Sequence, residues 1–228
     1  MKPLFRLLLS ALSFAMPFAA IIASVSTSCL RSVSPTADPD KNRLLVEDLN
    51  RYYVISHELR HRYESYADRA SADGNRTAAG LFSALARSEH IHENACSRAV
   101  SLLKGRCADN RHCRFDISDT KGNLRRSLDE ERSRFLMMQG KAVDRAIDAG
   151  NYYTARILIW IDGTNRRHIE LIERYLALTE ENGHCDRCRY HVCPVCGNIY
   201  ESDNCDTYCP LCRTSSSKFE CFGSMNID

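Results

Sequence analysis

Two Cys-Pro-x-Cys turns near the C-terminus constrain this chain more than any other feature. Cys193-Pro194-Val195-Cys196-Gly197 is followed, after the short loop Asn198 to Tyr208, by Cys209-Pro210-Leu211-Cys212. In each turn the two-residue spacer lets both thiolates reach one ion, and four thiolates complete a tetrahedral shell suited to iron or zinc. The choice of metal decides the role, because iron would pass single electrons and zinc would serve only as a staple. Tyr190, Tyr200 and Phe222 are candidates to shield the ion. Cys185-x-x-Cys188 is a third pair just upstream. It lacks the Pro and Gly of the other turns and ranks below them, with ligand exchange or a disulfide left open.

Twelve cysteines in 228 residues exceed what a cytosolic enzyme usually carries and call for metal, disulfides or both. Their compartment is indicated at the N-terminus. Lys2 and Arg6 precede an almost wholly apolar run from Leu7 to Ala23, and Ser26-Thr27-Ser28-Cys29 follows, which reads as an export signal. The segment resembles a bacterial lipoprotein signal, in which the cysteine after the small residues becomes the lipidated first residue; Ser26 stands where leucine is usual. A plain cleaved signal and an uncleaved anchor are the alternatives, although Ser10, Ser13 and Pro17 weaken a spanning helix. All three readings put the remainder outside the cytoplasm, in the periplasm or attached to the membrane through lipidated Cys29. In such an oxidising setting Cys107 could pair with Cys113, and Cys205 with Cys221. Apart from Cys29 and the four turn cysteines seven remain, an odd number, so at least one stays free, with Cys96 a candidate. The net charge of +2 gives no case for nucleic acid as a partner.

From Leu30 to about Lys41 the chain is rich in Ser, Pro, Thr and Asp and reads as a tether. Between Asn42 and about Glu181 apolar residues recur at spacings of three and four, the signature of bundled helices. The first stripe is Leu49, Tyr52, Ser56, Leu59, Tyr63, Tyr66 and Ala70, ending at Asp73-Gly74. The second is Phe82, Leu85, Glu89, His92, Cys96, Ala99 and Leu103. The third is Leu124, Leu128, Glu131, Phe135, Met138 and Ala142, read as one helix ending before Gly150. The fourth is Leu158, Ile161, Asn165, His168, Ile172 and Tyr175. Each seam is interrupted by polar groups at its middle, so antiparallel packing would bring them to one buried spot. A carboxylate or imidazole in an apolar core survives only when hydrogen-bonded to others or bound to a metal, and Glu89, His92, Glu131 and His168 lie in register on three helices. His57-Glu58-Leu59-Arg60-His61 matches the HExxH string of zinc proteases. Ser56 faces the core, however, and Glu58 lies about 200° around the helix from it. No third ligand follows at a familiar spacing.

These residues resemble a rubrerythrin, a ferritin-like di-iron four-helix domain followed by a rubredoxin-like domain. Tyr63, Ala67, Ala70, Gly74, Phe82, Ala86, Glu89 and His92 are similar to the family's first half-repeat, and the intervals Gly74 to His92 and Gly150 to His168 are both eighteen residues. With residues 1–29 read as signal and 30–41 as linker, the resemblance implies a mainly α chain with 42–181 as ferritin-like bundle and 185–228 as rubredoxin-like domain. It also implies iron at the four cysteines, one or two irons in the bundle, and pairing into a homodimer. Electron transfer to or from the bundle metal, with reduction of peroxide in oxidative-stress defence, is the implied activity; the redox partner is not specified. Three positions depart from the pattern. Ser56 and Asn165 stand where the first and fourth helices would each supply a Glu, and Arg134 stands where an additional Glu is frequent. Two carboxylates leave two ferrous ions undercompensated in a low-dielectric core. A single metal at Glu89, His92, Glu131 and His168, a site with altered ligands, and an empty polar core are the three outcomes. The contrasting reading is a non-catalytic, zinc-stapled binding or structural protein of the envelope.

Overall fold

The computed structural model describes residues 38–109, 114–138, 140–182, 189–201 and 205–223. The export segment, Cys29, Cys113 and the Cys185–Cys188 pair lie outside the described residues. Among those described, no helix is long and apolar enough to cross a membrane.

The chain begins as helix α1, Pro39–Ala72, three residues before the expected boundary at Asn42. Asp38 accounts for the early start, since its side chain accepts from the amides of Asp40 and Lys41 while Pro39 takes a first-turn position where no amide is needed. Helix α2 runs Arg76–Leu102 and α3 Thr120–Met138. The expected single third helix is broken. Gly140 adopts φ +74° and the chain restarts as α4, Lys141–Asp148, so the stripe from Leu124 to Ala142 is divided between two helices. Helix α5, Tyr152–Asn182, completes the bundle.

The internal duplication has a local structural counterpart. Gly74 and Gly150 are both left-handed, at φ +76° and +68°. Each closes the preceding helix, and each is followed by an asparagine whose side chain caps the next: Asn75 Oδ1 accepts from Ala78 N, and Asn151 Oδ1 from Thr154 N, both at 3.0 Å. Both long helices that carry a histidine eighteen residues beyond the glycine therefore start from the same turn.

The bundle core forms two apolar clusters. One contains Tyr63, Tyr66, Phe82, Leu85, Leu124 and Ile172. The other contains Leu45, Leu49, Tyr52, Ala146, Leu158 and Ile161. Between them along the helices lie the buried polar residues Ser56, Glu89, His92, Glu131, Thr164 and His168. This is a ferritin-like four-helix bundle with a small C-terminal knuckle domain. The knuckle domain is built on a three-stranded antiparallel sheet of β1 (Tyr190–Val192), β2 (Ile199–Glu201) and β3 (Glu220–Phe222), in the order β2-β1-β3. Tyr190 pairs with Glu201 on one side and Phe222 on the other. The sheet lies on the bundle: Tyr190, Val192 and Ile199 join its first core cluster, and Gly80 of α2 meets Gly223 so closely that a Cβ there would stand 2.8 Å from the Gly223 Cα.

Candidate metal centres

The two knuckles are built alike. Gly197 N donates to Cys193 O at 3.0 Å and Arg213 N to Cys209 O at 2.8 Å, so each turn closes on the carbonyl of its first cysteine. Gly197 at φ +80° and Arg213 at φ +64° occupy equivalent left-handed positions. Cys193, Cys196, Cys209 and Cys212 converge, with Cys193 Sγ 3.4 Å from Cys212 Sγ and Cys196 Sγ 3.4 Å from Cys209 Sγ. A tetrahedral ion at about 2.3 Å from each sulfur requires roughly 3.8 Å between sulfurs, so the cage is a few tenths of an ångström from that shell. Sulfur contact drives Cys196 far above the ordinary thiol range, through Cys193 and Cys209, and drives Cys209 far below it. Such a cage fits a cation. Tyr200 donates its hydroxyl to Cys209 Sγ at 3.3 Å and stacks on Phe219.

The other expected shields do something else. Tyr190 and Phe222 pack against the bundle core, and the cover comes instead from Phe219 and from Trp160 of α5, whose indole N–H donates to Leu211 O at 3.0 Å. Cys205 and Cys221 are free thiols; burial first, then the Asp206 charge and last Cys221, raises the Cys205 thiol. Cys96 is buried and free, and Cys107 is also free.

In the bundle, Glu89 from α2, Glu131 from α3 and His168 from α5 bring one ligand atom each within 4.8 Å of one another, all buried. His168 Nδ1 lies 3.5 Å from Glu89 Oε1 and 3.6 Å from Glu131 Oε1. The hydrogen-bond network fixes the protons. Ser88 donates to Gly197 O at 2.7 Å, so at His168 Nε2, 2.9 Å away, it can only accept. A neutral His168 therefore carries its proton on Nε2 and presents a bare Nδ1 to two carboxylates. Glu89 Oε1 and His168 Nδ1 are both buried without a hydrogen-bond partner among the described residues. Three converging lone pairs suit a cation, and one divalent ion would balance the two carboxylates. Tyr63 donates to Glu131 Oε1 at 2.6 Å; burial first, then the Glu131 charge, holds this phenol well above its ordinary range.

His92 stands apart from this trio. Its Nδ1 is 3.3 Å from the other Glu89 oxygen, while Nε2 is 2.9 Å from Thr164 Oγ1 and 3.2 Å from Cys196 O. Thr164 donates to Ile161 O, so the proton between it and His92 belongs to Nε2. The two halves thus orient each other: the hydroxyl four residues before each histidine accepts from the histidine of the opposite half. Burial works to raise Glu89, but contact with His92 first, then the proximity of His168 and a hydrogen bond from Ser56, hold it below the ordinary carboxylate range. Asn165 Oδ1 is buried with no hydrogen-bond partner among the described residues. Arg134 points to Glu130 at 3.1 Å. The HExxH residues form a separate network on α1 and α2, in which His57 and Arg60 hold Glu93 and His61 pairs with Glu64.

No protein-family model matches the chain. It is 23% identical over 185 residues to rubrerythrin-1 of Clostridium acetobutylicum, covering 79% of this chain and 95% of that protein. Rubrerythrin-2 of the same organism is also 23% identical, with 80% and 98% covered. Among solved structures, fully reduced, all-ferrous nigerythrin superposes with a TM-score of 0.67 at 22% identity over 78% of this chain and 86% of that one. A bacterioferritin from Mycobacterium tuberculosis reaches 0.54 at 20% identity, covering 64% and 89%. At these identities the structural likeness carries the fold alone.

Proposed function

We propose that this is an exported, iron-dependent redox protein of rubrerythrin type, in which the knuckle site exchanges single electrons with one metal in the bundle and a hydroperoxide is the terminal acceptor. The observation that carries the reading is His92, whose Nε2 lies 3.2 Å from the carbonyl oxygen of Cys196, beside its contact with Thr164, while Nδ1 faces the carboxylate of Glu89. One side chain joins two ligand sets within a single chain. Ser88 makes a second link, between Gly197 O and His168.

Iron, when bound, would supply one-electron chemistry at the sulfurs and a centre able to reduce a peroxide in the bundle. Reduction of a hydroperoxide to alcohol and water takes two electrons and two protons, so electrons delivered singly must be matched by protons held nearby. Tyr63, kept protonated by burial and placed on Glu131, holds one such proton. Glu89, Glu131 and His168 would hold the metal, and Ser88 would fix the His168 ring so that Nδ1 faces it. Oxidative-stress defence outside the cytoplasm is the physiological role this reading implies, with attachment through lipidated Cys29 where the N-terminal segment is processed as a lipoprotein signal. Pairing into a homodimer belongs to the proposal as well, although the link through His92 does not require it.

Ser56 and Asn165 favour a second reading, a non-catalytic protein stapled by zinc. Elemental analysis, a visible spectrum and peroxide consumption with supplied reductant separate the two. Thiolate-bound iron with intense visible absorption and reductant-dependent loss of peroxide is expected; zinc alone with no peroxide loss would overturn the proposal.

A further inference from the structure

A groove of about 420 Å³ between α2 and α5 ends on Pro194 and Val195, the two residues between the ligands Cys193 and Cys196. Its ring faces are not free. Arg156 covers Tyr153 and Trp160, 5.5 and 5.2 Å from their centroids, so a flat ligand finds no stacking surface and the groove offers only its rim. Arg87 on that rim is neutralised by two hydrogen bonds to Glu220, at 2.7 and 2.8 Å. Arg98 and Arg156 are exposed, and neither has a carboxylate partner among the described residues. The chain carries no acidic residue between Asn94 and Leu102 or between Tyr152 and Ile161, so nothing on either stretch offsets them. Apolar surface adjoins these charges: Leu102, Tyr152 and Ile159 are exposed on the same two stretches, and Val195 is exposed at the end of the groove.

Arginine beside exposed aromatic and aliphatic side chains, with acids missing, is the composition of a protein-docking surface. Its position decides the kind of partner. Cys193, Cys196 and Cys209 are at most 2% exposed, so an arriving reductant cannot touch those sulfurs, whereas Val195, bonded to Cys196, is 46% exposed. We propose that the face formed by Arg98, Arg156 and Val195 docks a separate, acidic one-electron carrier protein. Opposite charge steers the carrier to the rim and fixes its register, and contact at Val195 brings its redox centre to the turn that holds two of the four sulfurs. The indole N–H of Trp160 on Leu211 O ties the groove wall to the second knuckle and holds the face in place. Redox encounters of this kind bury little area, which a face of this size can supply. The electron step rests on the redox reading given above: one electron passes from the reduced carrier to ferric iron at the sulfurs, leaving the carrier oxidised and the iron ferrous, with no bond made or broken and no proton moved.

The test uses the purified full chain with a plant-type ferredoxin as the acidic carrier. Titration calorimetry with oxidised ferredoxin reads docking without electron transfer, and stopped-flow bleaching of the ferric sulfur absorption on mixing with reduced ferredoxin reads the transfer. Saturable binding is expected at low salt, weakening roughly tenfold or more between about 20 mM and about 300 mM salt as the charges are screened. Arg98→Glu and Arg156→Glu should each weaken binding and slow bleaching roughly fivefold or more, while reduction by the cationic methyl viologen radical is not slowed. Lys121→Glu, beside Glu180 near the opposite end of α5, controls for net charge and should change binding less than about twofold. Absence of binding up to about 1 mM at low salt, charge reversals without effect, or an equal loss in Lys121→Glu would overturn the proposal. Docking without bleaching, as a zinc-loaded knuckle would give, would sink the redox reading and leave the interface standing.

Discussion

In the knuckle, four thiols come from two turns separated by a short loop; in the bundle, two carboxylates and one imidazole come from three helices, with the remaining positions filled by Ser56, Asn165 and a diverted His92. The knuckle site is closed, since every position of a tetrahedron is a sulfur. The bundle site would be open, because a metal held by Glu89, Glu131 and His168 would have positions left for water or substrate. The difference teaches that local geometry can build a complete cage, whereas a cage assembled from distant helices can lose members and still hold charge balance for one divalent ion. Ser88 and His92 then tie the open site to the closed one.

The largest expected effect breaks the closed side. Cys209→Ala should release the knuckle metal and unfold residues 190–222 while the bundle stays helical, because a structural ion at such sites supplies on the order of 10 kcal/mol; metal analysis with far-ultraviolet circular dichroism checks both halves. Breaking the open side should be milder. Glu131→Ala or Glu89→Ala should lower bundle metal affinity by about 100-fold or more and leave the sulfur spectrum intact, which titration with a divalent ion would read.

The link itself is tested by Gly197→Ala. A Cβ there would stand 2.7 Å from His92 Nε2 and 2.8 Å from Ser88 Oγ, on a backbone already left-handed. About 1–3 kcal/mol of docking should be lost, and electron transfer between the sites should slow with both metals retained, as single-turnover absorbance would report. The smallest effect is electrostatic. Hydrogen bonds from Arg87 hold Glu220 below its ordinary value of 4.5, against burial and with help from the Arg87 charge. The folded value is depressed, so this contribution is fully present above pH 4.5 and fades as pH falls through the lowered value. Partial exposure limits it to well under about 1 kcal/mol; Glu220→Gln should abolish that part of the acid sensitivity of the Tm.

Much of this was legible in the sequence for physical reasons. Helical seams repeat locally, and residues such as Tyr63, Leu85, Leu158 and Ile172 are buried where their spacing puts them. The repeated Gly-Asn at 74–75 and 150–151 is a signal that could have given both helix starts, since each asparagine caps the helix it precedes. The break at Gly140 was hidden because the apolar stripe continues across it. The diversion of His92 depends on Thr164 and Cys196, which are 72 and 104 residues away, and no spacing rule reaches that far. Trp160 as a cover for the sulfurs was missed for the same reason, its partner Leu211 being 51 residues distant.

The central claim is that the bundle holds one metal ion while the knuckle holds another. Counting metal per chain in the purified protein, and again in His168→Ala, tests it most directly. The account predicts about two ions in the parent and about one, still bound to sulfur, in the variant. Three ions in the parent, or an unchanged count in the variant, would contradict it.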